Sequence, residues 1–295
     1  MDYILHIAVF VFLYWALAAS LNLVAGYTGI LSIGHAAFYG VGAYTAALMS
    51  LHFQTPFLVN IVCAAFTCAA LGVLVGGPTL RLRNDDFVIA SFAFQIVTFN
   101  VLNNWLAVTR GPMGLPGIPP PTVFGLPVTS RWGFVALSGI FAIVVAVFLA
   151  FVVRSPLGRV LQASREDEVF TAAMGKNVAR YKLLAFMIGA AVAGCAGVIY
   201  AHYIRYIDPS SFTLMESIFI ISIVVFGGAG SLWGPLVGAT ILVVMPEILR
   251  FVGMPDAMAA NLRQSFYGII LAAFMLIRPQ GILGQYAFGK ERIRR

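Results

Sequence analysis

Residues 132–153 run from one arginine to the next without a single charge. A stretch of that length matches the roughly 20 apolar residues needed to cross a bilayer. Inside hydrocarbon, backbone N–H and C=O groups must be satisfied within the segment, which a helix does and an open strand does not. Comparable runs recur at about 3–24, 30–51, 56–76, 87–108 and 183–203, with shorter ones at 216–229, 233–249 and 264–277. The chain therefore reads as an all-α polytopic membrane protein with about nine transmembrane segments in a single domain spanning 1–295. Composition agrees: 10% of residues are charged, against roughly 25% in a soluble domain. Residues 4–24 have no preceding Lys or Arg, and are expected to form a retained first span rather than a cleaved leader.

Nine alternating spans put 78–86, 154–182 and 278–295 on one side of the membrane. Thirteen of the 18 basic residues fall there, and Arg110, Arg131, Arg205, Arg250 and Arg263 on the other. Basic residues accumulate on the cytoplasmic side, so the N-terminus is expected outside and the C-terminus in the cytoplasm. The net charge of +7 then records topology, and nucleic acid is not an expected partner. The Pro/Gly-rich loop at about 109–131 falls outside, where its prolines and glycines argue against regular structure and for an ordered cap or a surface segment. Cys63, Cys68 and Cys195 lie inside apolar segments and lack metal or redox spacing.

Residues 22–47 depart from a plain lipid-facing helix. Gly26, Gly29, Gly34, Gly40 and Gly42 interrupt an apolar stretch that also carries His35. Broken backbone at membrane depth is tolerated where protein or a water-filled cavity covers it, and such segments point to transport pathways. Tight helix packing around one buried histidine accounts for the same residues. A second glycine cluster, Gly227-Gly-Ala-Gly230-Ser-Leu-Trp-Gly234, echoes Gly26-Tyr-Thr-Gly29-Ile-Leu-Ser-Ile-Gly34. Under the expected topology the two are parallel, and both breaks would face one central path. Asn22, Gly29, Gly34, His35, Gln95, Gly230 and Gly234 are the residues expected to border it. For Asn22 and Gln95, interhelical hydrogen bonding is the competing role.

No phosphate-cradling Gly-x-x-x-x-Gly-Lys-Ser/Thr, His-Glu-x-x-His, Cys-x-x-Cys or Gly-x-Ser-x-Gly sequence occurs. A catalytic or metal centre is not expected, and the chain has no nucleotide motif of its own. Within the longest polar segment, about 154–182, Ser164 is placed to cap a short helix with Glu166, Asp167 and Glu168 in its first turn and Gly175 at its end. Val169, Ala172, Ala173 and Met174 give this helix an apolar patch. Such a helix can lie on the membrane surface or dock into a soluble partner's groove.

Leu21-Asn-Leu-Val-Ala-Gly-Tyr-Thr-Gly-Ile-Leu-Ser-Ile-Gly-His-Ala-Ala-Phe-Tyr-Gly-Val-Gly-Ala-Tyr44 resembles the signature of LivM-type permeases, in the LivH/LivM family of branched-chain amino acid ABC transporters. Four more segments match in order: Thr109 to Ile118, Gly158 to Leu184, Val225 to Pro235 and Arg278 to Gly284. The resemblance implies a heterodimer with a second, LivH-like permease in the bacterial inner (plasma) membrane. It further implies two ABC ATPase subunits, which bind the ATP, and a periplasmic solute-binding protein; this chain would hold no cofactor. It also implies that Glu168, Ala172, Ala173, Met174 and Gly175 lie in the ATPase-coupling loop. The entry to span 4, Asn84-Asp85-Asp86-Phe87, is more polar than the family pattern, and relatives carry urea, short amides or aromatic acids as well as amino acids. A stand-alone secondary transporter or channel would need intramembrane charge, for which Glu216 and Glu247 are the residues available. A role for His35 as the base of an intramembrane enzyme lacks a nucleophile or carboxylate nearby.

Overall fold

The computed structural model describes residues 2–80, 84–123, 126–251 and 281–284. The chain opens with α1 (Asp2–Leu21), which continues into a wider π-helical turn, Asn22–Tyr27. A non-helical break at 28–34 leads to α2 (His35–Phe53), α3 (Phe57–Thr79) and α4 (Asn84–Asn104). The connection after α4 holds α5 (Leu106–Thr109) and strands β1 (Leu115–Pro116), β2 (Thr122–Val123) and β3 (Leu126–Pro127). Then come α6 (Arg131–Arg154), α7 (Pro156–Glu166), α8 (Glu168–Ala173), α9 (Val178–Ile204), β4 (Tyr206–Ile207), α10 (Leu214–Gly227) and α11 (Gly234–Phe251). Among the described residues, five helices are long and apolar enough to cross a membrane: Asp2–Tyr27, Phe57–Thr79, Asp86–Asn104, Arg131–Arg154 and Val178–Ile204. Two shorter apolar helices, Leu214–Gly227 and Gly234–Met245, accompany them. The expected span at 264–277 and most of the basic tail lie outside the described residues.

Several boundaries differ from the sequence reading. The first helix runs to Tyr27 rather than 24, and α2 starts at His35 rather than 30. Gly29 adopts φ +77°, a left-handed conformation open to glycine and costly to other residues, so the backbone is helical only on either side of it. Pro78 lies within the last turn of α3.

The core is built on α9. Its small residues bring neighbouring helices to backbone contact: a Cβ on Gly197 would lie 2.2 Å from the Tyr39 carbonyl oxygen, and one on Gly42 would lie 2.1 Å from that of Gly194. Close approach of small-residue faces is the means by which helices associate in lipid, where burying apolar surface offers no gain over the lipid tails. Other faces carry large apolar side chains outward, among them Val62, Phe66 and Leu74 on α3 and Ile140, Val144 and Phe151 on α6. These are the faces suited to acyl chains.

The Pro/Gly-rich connection is more regular than expected. β1 pairs antiparallel with β4, Leu115 opposite Ile207 and Pro116 opposite Tyr206, and β2 pairs with β3. The Gly117 and Ile118 N–H groups donate to the Arg205 carbonyl at 3.1 and 3.3 Å. Two-residue strands accommodate proline because each ladder asks for so few donors. With Leu115 and Ile118 buried, the segment is an ordered connection fastened to the end of α9 and to β4.

Candidate translocation pathway and coupling surface

The two glycine-broken segments meet. Asn22 reaches from the π-turn of the first helix to the break after α10: its Oδ1 accepts from the Gly230 N–H at 2.9 Å and its Nδ2 donates to the Ser231 carbonyl at 2.8 Å. Gly26, one turn on, leaves room for this contact, since a Cβ there would stand 2.6 Å from the Gly230 nitrogen. Both helices end at this level, so each break leaves backbone groups without helical partners, and Asn22 satisfies one donor and one acceptor. The start of the described segment 281–284 joins the same layer. Ile282 and Leu283 donate their N–H groups to the carbonyls of Phe226 and Gly227, each at 3.0 Å. Gly234 opens α11, with its Cβ position 2.5 Å from the Gly228 oxygen.

The break at 28–34 is fastened at both ends. The Thr28 hydroxyl donates back to the Val24 carbonyl, and the Ile33 N–H donates to Ser91 Oγ on α4 at 3.0 Å. Gly34 sits against the same turn of α4, its Cβ position 2.6 Å from the Ser91 carbonyl oxygen. His35 is 1% exposed, and its Nε2 is hydrogen-bonded to Ser20 Oγ at 2.7 Å. Gln95 is equally enclosed: its Nε2 donates to the Phe212 carbonyl at 2.8 Å, and its Oε1 accepts from Ser217 Oγ at 3.1 Å. Ser217 Oγ in turn accepts from the Ala36 N–H at 3.0 Å, so Gln95 supports the N-terminus of α2 through α10. Of the seven expected pathway residues, the structure thus joins Asn22 to Gly230, places Gly29 and Gly34 in the break, and seats His35 and Gln95 in separate interhelical bonds. Ser20, Ser217 and Ser231 complete these contacts and were not singled out from sequence, because lone serines in apolar runs carry no pattern.

The segment after α6 folds as an elbow. Pro156 occupies the first turn of α7 and starts that helix well before Ser164, as its fixed φ favours. Ser164 therefore does not cap the next helix as expected; it lies inside α7 with its hydroxyl donated to the Leu161 carbonyl at 2.8 Å. Asp167 takes the capping role, its Oδ1 accepting from the Phe170 N–H at 2.9 Å. Gly175, at φ +77°, follows the end of α8. Asn177 then caps α9 by accepting from the Arg180 N–H at 3.2 Å. Around this short helix Ala172, Ala173 and Met174 are exposed with Val169 and Phe170, Val169 reaching 81%. An outward Val, Phe and Met on one turn form a surface for a protein groove or a lipid headgroup layer.

Glu168 ties the elbow to the bundle. Its Oε2 lies 2.5 Å from Nζ of Lys182, whose side chain is only 4% exposed. On the preceding helix Arg165 runs beside the first break, its Cγ 3.1 Å from the Cβ position of Gly29. The elbow thus touches α9 through Lys182 and the glycine break through Arg165, and neither residue was picked out from sequence. Among the described residues, no group of three or more metal-ligating side chains occurs.

Residues 3–277 match the family described as the branched-chain amino acid transport system / permease component. The chain is 36% identical to the high-affinity branched-chain amino acid transport system permease protein LivM of Salmonella typhimurium, over 94% of this chain and 69% of that protein. LivM of Escherichia coli is similar to the same degree. LivH of Salmonella typhimurium is 27% identical over 92% of this chain and 91% of that protein. No solved structure shows a significant match. A helical bundle with long apolar helices and glycine-broken segments is that of a multi-pass membrane permease. The chain belongs to the branched-chain amino acid transport system permease family.

Proposed function

We propose that this chain is one permease subunit of an ATP-driven importer for branched-chain or related amino acids. It pairs with a second, LivH-like permease, is driven by two separate ATPase subunits that bind the ATP, and receives solute from a binding protein outside a bacterial inner membrane. Nine crossings with the N-terminus outside put α7 and α8 in the cytoplasm and the β1–β4 pair on the receiving face, in line with the bias of basic residues. The observation that carries the reading is the similarity to LivM over 94% of this chain, together with the exposed apolar turn on α8.

The mechanism follows from the contacts of that turn. An ATPase groove holding Val169, Ala173 and Met174 moves α8 when the ATPases close. Lys182 passes the displacement to α9, on which α2 and α3 are packed, and Arg165 passes it to the break at Gly29. Because Asn22 fastens the second break to the first helix, both glycine segments shift together, as expected for two rigid permeases rocking between inward-open and outward-open states. Purifying the tagged chain after co-expression with its neighbouring transport genes tests the reading. ATPase subunits and a second permease are expected in the complex, and a monodisperse single chain that transports without them would contradict it.

A further inference from the structure

Glu216 is the carboxylate in the first turn of α10, an otherwise apolar helix. Carboxylates on apolar helices of a membrane protein face a protein interior or a watery path and are paired there. Glu216 accepts a hydrogen bond from the Tyr14 hydroxyl at 2.5 Å. Among the described residues the ion pairs are Arg131–Asp2 and Lys182–Glu168, so Glu216 has no cationic partner there.

Aromatic rings surround this carboxylate. Tyr14 meets Phe219 edge to face at 4.9 Å and stacks on Phe10 at 6.1 Å. Tyr39 packs against Tyr200 at 5.3 Å, and Tyr200 meets Phe10, the ring on which Tyr14 stacks, at 6.4 Å. Tyr39 is 1% exposed, and its hydroxyl has no hydrogen-bond partner among the described residues. A buried, unpartnered hydroxyl in the same aromatic layer as the carboxylate's partner Tyr14 calls for a further polar group. The same face leads outward: His6, Phe10 and Tyr14 recur every fourth residue on α1, and His6 lines an open cleft of about 630 Å³ with Asp2, Arg131, Tyr203 and Arg205. His6 to Tyr14 spans ~12 Å of helix, and the seam between cleft and carboxylate is shut by ring contacts, Phe10 on Tyr203 at 6.1 Å and Phe134 on Tyr203 at 5.1 Å.

We propose that Glu216, with the hydroxyls of Tyr14 and Tyr39 and the surrounding rings, is the point in this chain that receives the primary ammonium group of the transported solute. A carboxylate supplies the counter-charge, hydroxyl oxygens accept the ammonium hydrogens, and aromatic faces attract a desolvated cation. Solute enters from the outer cleft when rocking parts the ring contacts. The assignment rests on the amino-acid reading above and specifies which part of the solute this chain holds.

The test uses the complete complex in detergent and in proteoliposomes. L-leucine at ~10 mM is expected to raise the melting temperature of the complex, since a ligand held by the folded state stabilises it, whereas 4-methylvalerate, the same skeleton without the amine, is not. E216Q is expected to abolish that shift and lower leucine uptake at least about tenfold. Y39F, which removes one oxygen, should weaken both the shift and the uptake, and it carries the same test should E216Q fail to assemble. Wild-type leucine uptake with undiminished uptake in E216Q, or an equal shift with 4-methylvalerate, overturns the ammonium site and leaves the importer reading intact. Absence of leucine uptake in the wild-type complex instead overturns the amino-acid reading itself.

Discussion

The Lys182 ammonium, almost fully buried at the start of α9, has its carboxylate 2.5 Å away on Glu168 at the first turn of the exposed helix α8. The pair crosses the turn between two helices and fixes how the apolar turn of α8 is presented. Because Glu168 remains half exposed, the pair is partly screened by solvent, yet removing Glu168 strands a buried cation. Breaking a fully buried pair costs roughly 3–5 kcal/mol; with one partner in solvent, about 1–2 kcal/mol is expected.

Glu168→Gln should therefore leave the complex assembled but loosen the elbow. Leucine uptake is expected to fall about tenfold, the ratio that corresponds to about 1.4 kcal/mol, while ATP hydrolysis continues. Parallel uptake and hydrolysis assays check it, and equal losses in both, or in neither, would speak against a coupling role.

Val169→Asp and Ala173→Trp act on the exposed apolar turn itself. Neither residue supports the core of this chain, so the melting temperature of the isolated permease pair should change little, as surface substitutions usually cost within about 0.5 kcal/mol. Recovery of ATPase subunits on affinity purification should drop severalfold in each.

Asn22→Ala removes both bonds to the second break and leaves the Gly230 N–H and Ser231 carbonyl without their partner. Each unsatisfied buried group costs about 1–3 kcal/mol, so the melting temperature should fall clearly more than for the exposed-turn variants. Asn22→Asp keeps the acceptor for Gly230 but sets an oxygen against the Ser231 carbonyl, and should be no better than Ala.

Gly29→Ala places a Cβ at φ +77° beside Arg165. The left-handed conformation alone costs about 1–2 kcal/mol, and Arg165 must move aside as well. Uptake is expected to fall more than stability does, measured by comparing uptake per assembled complex with thermal unfolding.

Ser20→Ala removes the hydroxyl bonded to His35. If His35 serves packing, stability should fall by about 1–3 kcal/mol with uptake per folded complex retained. A selective loss of uptake would assign His35 to the path instead.

The five long apolar helices were legible because apolar length and charge spacing are local properties, as in Arg131–Arg154. The two glycine clusters share an opening Gly-x-x-Gly, and the structure adds that Asn22 joins the second to the first helix. The elbow was read with its cap three residues early. Ser164 and Asp167 are both good capping residues, and Pro156 decides between them by starting α7 early enough to absorb Ser164. Lys182, Arg165, Ser20 and Tyr14 were not legible as partners, since each meets a residue on another helix and nothing in their own neighbourhoods announces it. The β1–β4 pairing was hidden for the same reason: its strands are two residues long and lie on either side of α6 and α9.

The most direct measurement is uptake of labelled L-leucine into proteoliposomes holding this chain, its partner permease and both ATPases, with ATP inside the compartment that the ATPases face and binding protein on the other side. Accumulation that requires ATP, requires the binding protein and is lost in Val169→Asp is the predicted result. Leucine entry through this chain alone, independent of ATP and unaffected by Val169→Asp, would contradict it.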